Sequence, residues 1–333
     1  MDKRRCAVIG IGGIGVWHGE MMNATGRLEV VAVCDANEAM RAKAKEKFPN
    51  AKFYTSHRQM LAKEHPDLVG VITPHNLHAP LAIDALRHGA NVIVEKPMAT
   101  RYEDSVAMIK AAKAHKRFLT VFHNRRLDGW FLAARSVIEA GLLGELVELN
   151  AAINYRPSPA TWRGYKAASG GLLFDWGAHL VDYLLHLSGS EVKAVSGFYF
   201  RSKTTNPKYC EDHGTLRMHF KSGAIGNVSI SGADRSQPLR YRLVGMQGTL
   251  TDEWNWGEND KLKVYTRLGG GEPAVMEVQY QKTVPQKFYD NIADHLTKGT
   301  RLLVSAESAA TVINVLCAAE RSSKRGGVPV PLA

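Results

Sequence analysis

Residues 6–22 read CAVIGIGGIGVWHGEMM: an apolar run from Cys6 to Ile9 breaks into glycines at 10, 12, 13 and 15, and a stretch with helical spacing follows. Gly10, Gly12 and Gly15 make G-x-G-x-x-G between a strand-like run and a helix, and the next apolar run, LEVVAVCD, ends in Asp35, twenty residues beyond Gly15. Each glycine has a physical task. The first permits a tight turn, the second lets backbone N–H groups approach a pyrophosphate, and the third lets the helix pack on the strand. The helix amino terminus then faces the anion with its partial positive charge. In that context the stretch predicts a dinucleotide loop made by Gly10, Gly12, Gly13, Ile14 and Gly15.

Outward from this loop, as far as residue 122, short apolar runs (CAVIGIG, LEVVAVCD, LVGVITP, NVIVEKP, FLTVFHN) alternate with helical stretches (AMRAKAKEKF, APLAIDALRHG, DSVAMIKAAKAH). Continuous apolar strands separated by helices imply a parallel sheet covered on both faces, and right-handed crossovers make it doubly wound. After a helix around WFLAARSVIEAG the rhythm changes to strand after strand: LVELNAAINY, KAVSGFYF, GTLRMHF, AIGNVSIS, YRLVGM, GTLTDEW and LKVYT. Runs of strands imply an α+β domain with a large, mainly antiparallel sheet. Two helical segments, VPQKFYDNIADHLTKG and SAESAATVINVLCAAERSSK, come last. The reading is an α/β chain of two domains, residues 1–122 binding a dinucleotide and residues 123–333 carrying substrate binding and self-association.

Composition narrows the function classes. The 333 residues are 45% hydrophobic and form no low-complexity tract, enough for a large core. Every apolar run is far shorter than the roughly 20 residues of a membrane-spanning helix, so no membrane association is expected. MDKRR before CAVIGIG imitates a signal peptide, but glycines break the run and it reads as a mature first strand. Cys6, Cys34, Cys210 and Cys317 lie far apart with no C-x-x-C pair, which fits reduced thiols in the cytoplasm, and no ligand spacing points to a metal. The net charge of +11 is scattered over helix faces without a zinc-finger or RNA-binding signature, so a nucleic-acid partner is not expected.

A carboxylate at the end of the second strand accepts hydrogen bonds from adenosine ribose hydroxyls and repels a 2′-phosphate, so Asp35 favours NAD over NADP. Asp35 also reads as a cap for the helix begun by DANEAM, and Arg41 offers a charge to a 2′-phosphate. Three further stretches are candidates for chemistry. ITPHNLHAP (72–80) and VEKPMAT (94–100) follow apolar strands, where open parallel sheets present ligands. Proline 97 fixes the backbone beside Lys96, although Glu95 and Lys96 read equally well as ordinary surface charges. In SGGLLFDWGAHLVDYLLHL (169–187), Asp175 and His179 are four apart on a predicted helix and share a face, with Asp182 and His186 along the same stripe. Gly170 and Gly171 before them allow close backbone approach to a ligand. His186 reads as structural.

Taken together, VIGIGGIG, TPHNLH, EKP and GGLLFDWGAHLVD, in this order and spacing, resemble the Gfo/Idh/MocA-type oxidoreductases, a likeness that covers nearly the whole chain and includes IEAGLLGELVELNA at 138–151. The resemblance implies a Rossmann domain followed by an α+β domain, nicotinamide-dependent hydride transfer, and sugars, polyols or their derivatives as substrates. It implies Lys96, Asp175 and His179 as the catalytic trio, and Thr73, Pro74, His75 and His78, with Glu95 and Lys96, at the cofactor. His75 stands where the family often has asparagine, and Asn76 offers the amide instead. Trp162 and Arg163, and the segment containing Asn124 and Arg126, resemble substrate-facing positions. Alcohol oxidation needs a base at the hydroxyl, which His179 suits, with Lys96 stabilising charge on the oxygen or itself carrying the proton, and Asp175 orienting sugar and base. A redox-neutral NAD-dependent glycoside hydrolase or lyase is the alternative enzyme, and a non-catalytic dinucleotide sensor is disfavoured by the intact trio. Dimers or tetramers through the second-domain sheet are also implied, and strands such as NVSISG and LKVYT alternate poorly enough to fit partial burial of its second face.

Overall fold

The computed structural model describes residues 3–254, 260–267, 271 and 273–333. Two compact units divide the chain, the first made of residues 1–123 and 285–311, the second of residues 124–284 and 312–333.

In the first unit, six parallel strands, β1 (Arg4–Ile9), β2 (Leu28–Cys34), β3 (Lys52–Tyr54), β4 (Leu68–Val71), β5 (Asn91–Val94) and β6 (Leu119–Val121), line up as β3-β2-β1-β4-β5-β6. Helices α1 (Gly13–Ala24), α2 (Glu38–Lys47), α3 (His57–Glu64), α4 (His78–Arg87) and α5 (Tyr102–Ala114) connect them. The strand order reverses between β1 and β4, and at such a reversal the carboxyl ends of the strands open a crevice for a ligand. All four residues of β4 are buried, as are the last four of β1, which is why these strands read as unbroken apolar runs. Strand β3, only KFY and partly exposed, carries too short and too polar a signal to be found by its pattern.

The second unit begins with α6 (Gly129–Glu139) and β7 (Leu146–Asn154), then two single turns, α7 (Lys166–Ser169) and α8 (Leu172–Asp175), and α9 (Gly177–Ser188). Strands β8 (Val192–Phe200), β9 (His213–Phe220), β10 (Ile225–Ser231), β11 (Leu239–Gly245), β12 (Gly248–Glu253), β13 (Lys261–Arg267) and β14 (Pro273–Gln279) follow. Next along the chain come α10 (Gln286–Lys298), which belongs to the first unit, α11 (Ala306–Lys324), which begins in the first and ends in the second, and β15 (Val330–Pro331). The nine-stranded sheet runs β14-β13-β12-β11-β7-β10-β9-β8-β15, antiparallel throughout except for the parallel pair β7 and β10. Alternation is regular, also in β10 and β13, whose sequences NVSISG and LKVYT suggested otherwise: Leu149, Ala151, Ile153, Val228 and Ile230 are buried on the face that α6 and α9 cover. The opposite face carries a polar ladder in which Arg217 donates to Asn227, Asn227 donates to Asn150 and Glu148, and Arg242 donates to Glu148. Phe198 and Phe200 flank the ladder toward one edge, Tyr265 and Val275 toward the other, all exposed.

A division at residues 122 and 123 sends everything beyond it to the second unit, whereas α10 belongs to the first. Its buried residues Phe288, Tyr289, Ile292 and Ala293 give the reason. Phe288 packs edge-on against Phe122 with ring centroids 4.9 Å apart, and Arg27 pairs with Asp294 at 2.5 Å. A contiguous reading of rhythm cannot anticipate a helix that returns.

Candidate functional site

In the first unit the glycine loop is built as its spacing demands. Gly10 adopts φ +89°, and a Cβ there would lie 2.1 Å from the carbonyl oxygen of Ile72 and 3.0 Å from the Thr73 methyl. A Cβ on Gly15 would lie 1.9 Å from the carbonyl oxygen of Gly10, so the helix sits directly against the turn. At Gly12 and Gly13 a Cβ would meet nothing within 4 Å. The cradle in front of the α1 amino terminus is thus open where a pyrophosphate needs room, and these residues fit a dinucleotide. Exposed Ile14 stands beside it.

Asp35 closes the far side of the loop. Its Oδ2 accepts from the Ile11 N–H at 2.9 Å and its Oδ1 from the Asn37 N–H at 2.8 Å. The cap of α2 is Asn37, whose side chain accepts from the Ala39 N–H, so the capping alternative for Asp35 is wrong by two residues. Arg41 donates to the Asp35 carbonyl at 2.7 Å.

Thr73 and Pro74 sit half-buried at the end of β4, against the turn at Gly10. His75 and His78 are both buried behind that loop. His78 is fully buried, its Nδ1 lies 2.8 Å from the Pro97 carbonyl oxygen and its Nε2 3.0 Å from that of Thr73. Burial holds this imidazole below the usual histidine range, against the pull of the two carbonyls. It ties the loops after β4 and β5 together. His75, also buried, packs its ring 5.7 Å from that of His78, while Asn76 is exposed. After β5, Glu95 and Lys96 are half-buried, not surface charges.

In the second unit the helix expected through Asp175 and His179 breaks at Trp176, with Asp175 ending α8 and His179 in the first turn of α9. Both side chains are buried. Asp175 Oδ2 accepts from the Tyr155 hydroxyl at 2.8 Å and lies 3.5 Å from Arg163 Nε. Burial and the Asp175 charge push the Tyr155 phenol up, so it remains a donor to the carboxylate. Tyr155 follows β7 with no pattern that marks it in the sequence. His179 stacks on Tyr183 at 6.2 Å and meets Trp176 edge-on at 5.6 Å. The Arg163 guanidinium lies 4.4 Å over Trp162, which links the two expected substrate-facing residues to Asp175.

Two expectations in this unit change. Gly170 and Gly171 have φ of +91° and +119°, but the space beside them is taken by Phe174 and by the Glu211 carboxylate, not left for a ligand. Glu211 accepts from the Leu172 N–H and pairs with Lys166, fixing the turn that leads to Asp175. Arg126 makes a bidentate pair with buried Asp182 at 2.6 and 2.9 Å, so it anchors α9 to the Asn124–Leu127 turn. Its neighbour Arg125 stacks on Trp176 at 4.8 Å, and Asn124 is half-buried. Among the described residues no group of three or more His, Cys, Asp or Glu is arranged to hold a metal ion, and no helix is long and apolar enough to cross a membrane.

Comparison with known proteins places this geometry in company. Residues 4–123 match the profile of an oxidoreductase family with an NAD-binding Rossmann fold, GFO/IDH/MocA, and residues 131–251 match the GFO/IDH/MocA C-terminal domain. The chain is 27% identical to a scyllo-inositol 2-dehydrogenase (NADP(+)) of Bacillus subtilis, covering 97% of this chain and 95% of that one. It is 33% identical to an uncharacterized oxidoreductase of Schizosaccharomyces pombe over 75% of this chain and 70% of that one. The crystal structure of an NAD-binding protein from Listeria innocua superposes with a TM-score of 0.87 at 28% identity, covering 99% of this chain and 97% of that one.

Proposed function

The chain belongs to the Gfo/Idh/MocA oxidoreductase family, and from that premise we propose that it transfers a hydride between a nicotinamide cofactor and a secondary alcohol or ketone of a sugar, polyol or sugar derivative. The observation that carries the reading is the treatment of Asp175 and His179: a carboxylate and an imidazole, both buried, with Tyr155 and Arg163 holding the carboxylate in place. Burying such a pair costs free energy, which a binding module or a sensor has no need to spend.

Nicotinamide, when bound, supplies the hydride acceptor or donor. The protein's part is the proton and the charge. His179 takes the hydroxyl proton as the carbon-bound hydrogen departs, a step worth roughly a hundredfold to ten-thousandfold for a positioned base. Lys96, at the carboxyl end of β5, stabilises negative charge on the substrate oxygen. Asp175 orients sugar and base, and Tyr155 and Arg163 keep it fixed. Trp162, whose ring already lies under the Arg163 guanidinium, is suited to stack on a sugar ring.

NAD is preferred over NADP. Asp35, immobilised by two backbone N–H groups, holds a fixed negative charge where a 2′-phosphate would sit, and Arg41 is already committed to a carbonyl. The protein self-associates as a dimer or tetramer through the uncovered face of the nine-stranded sheet. Its polar ladder between exposed aromatic residues supports that reading. A reducing, cytoplasmic setting accords with buried Cys6 and Cys34, whose thiols are pushed by burial up to about 12 and about 11.

The test is incubation of the purified protein with a panel of inositols, aldoses, anhydrosugars and sugar acids and with either cofactor, following nicotinamide absorbance and substrate loss together. Net reduction matched to substrate oxidised supports the proposal. Substrate cleavage without net reduction would overturn it in favour of redox-neutral chemistry.

A further inference from the structure

Lys96 stands between two residues that are each pinned by a buried histidine of the first unit. On one side, His78 faces the Pro97 carbonyl at 2.8 Å. On the other, the ring of His18 on α1 reaches Glu95, with Nε2 lying 3.1 Å from Oε1. The second ring nitrogen of His18, Nδ1, meets the hydroxyl of Tyr289, which α10 brings from 271 residues away. His18 and Tyr289 are both fully buried. Around them the Phe122 ring lies 4.5 Å and the Trp17 ring 5.4 Å from the imidazole, which is itself fully buried.

With Nε2 facing the Glu95 carboxylate and Nδ1 facing the Tyr289 hydroxyl, both ring nitrogens of His18 have a hydrogen-bond partner. Burial alone pushes the Glu95 carboxyl up, but the bond and the charge of His18, with the neighbouring Lys96 charge, outweigh it and hold the group below its ordinary range. The hydrogen-bonded chain lies wholly within the first unit. It costs the fold a buried phenol, a buried imidazole and a mostly buried carboxylate, whose outlet is the strand end carrying Lys96.

We propose that His18 and Tyr289 are positioning residues for Lys96: together with His78 they clamp the Glu95–Pro97 segment from both sides, so that the lysine ammonium is delivered in one orientation. The proposal rests on the reading that Lys96 serves the hydride-transfer reaction. The geometry explains why a helix from residues 286–298 returns to the nucleotide-binding unit, where it completes the clamp.

The experiment uses the full chain with His18→Leu, His18→Gln, Tyr289→Phe and, as a control, Lys96→Ala. Without any substrate, amide hydrogen exchange across residues 94–99 should quicken in His18→Leu and Tyr289→Phe. It should recover toward the parent in His18→Gln, whose amide still offers an N–H to Glu95. With a substrate from the panel, His18→Leu should lower kcat by up to about a hundredfold, the scale of a small misplacement at a reacting group. NAD affinity by calorimetry should change less than about threefold, and His18→Gln should restore most of the rate, which loss of folded protein alone cannot reproduce. Should His18→Leu fail to fold, Tyr289→Phe removes a single oxygen and decides the matter by the same measurements. Parent-like exchange and kcat in Tyr289→Phe and in a folded His18→Leu would overturn the proposal. Parent-like kcat in Lys96→Ala would instead overturn the reading on which it rests.

Discussion

A valine placed at two glycines of the same loop should have opposite effects. At Gly12 the backbone has φ −64° and ψ −177°, open to any residue, and a Cβ meets nothing within 4 Å. Stability should therefore stay within about 0.5 kcal/mol of the parent, as for a substitution that touches no neighbour. At Gly15 the Cβ would sit 1.9 Å from a backbone oxygen that cannot move without reopening the turn. Overpacking of that kind costs about 1–3 kcal/mol or more, a fall in melting temperature of roughly 2–4 °C per kcal/mol for a domain of about this size. Cofactor affinity should behave differently. A valine side chain at position 12 would occupy the open cradle that the pyrophosphate needs, so Kd for NAD should rise at least about a hundredfold, equivalent to about 2.7 kcal/mol. Thermal melts paired with calorimetric titration of NAD check both. A folded Gly12→Val protein that binds NAD within about threefold of the parent would refute the reasoning and reduce the loop to a turn.

The remaining predictions concern charge. NAD should bind more tightly than NADP in the parent, and Asp35→Ser should narrow the ratio by about tenfold or more, one fixed charge being worth at least about 1.4 kcal/mol at this range; fluorescence titration of both cofactors measures it, and a parent that prefers NADP contradicts it. Arg126→Met leaves buried Asp182 without its bidentate partner and should lose about 3–5 kcal/mol in denaturant unfolding, the cost of breaking one half of a buried pair. The Glu64 carboxyl, buried beside the Tyr54 hydroxyl, Lys52 and Arg5, is held below 4.5, chiefly by the bond from Tyr54. Because the folded state depresses this group, its contribution is present at neutral pH and is lost as pH falls below about 4.5. Glu64→Gln should therefore be less stable than the parent at pH 7, by about 1.5–3 kcal/mol for a charged hydrogen bond, and the gap should close in acid, as denaturant melts at the two extremes will show.

The doubly wound parallel sheet was legible because its central strands are buried on both faces and read as apolar runs, and because the glycines 10, 12 and 15 each answer a local demand of sterics, whereas the strand order came only with the fold. Local signals of this kind survive in sequence. Tertiary pairings do not: nothing in the spacing shows that Arg126 meets Asp182, that Tyr155 meets Asp175, or that Tyr289 meets His18. The histidines show the difference most clearly. The loop TPHNLH marks a ligand-presenting strand end, yet only packing reveals that His78 lies between two carbonyl oxygens, one facing each ring nitrogen. Gly170 and Gly171 were legible as special backbone, but what fills the space beside them, Glu211 and Phe174, comes from elsewhere in the fold. Strand β15 is two residues long and β3 three, and no periodicity can be read from so few.

The central claim is that a hydride leaves a substrate carbon and arrives on the nicotinamide. Its most direct test uses a polyol or sugar from the active panel, deuterated at the carbinol carbon, incubated with oxidised cofactor and the full-length chain, and mass spectrometry of the recovered cofactor. One deuterium should appear on the reduced nicotinamide for each substrate oxidised. Substrate turnover that leaves the recovered cofactor oxidised and free of deuterium would contradict it.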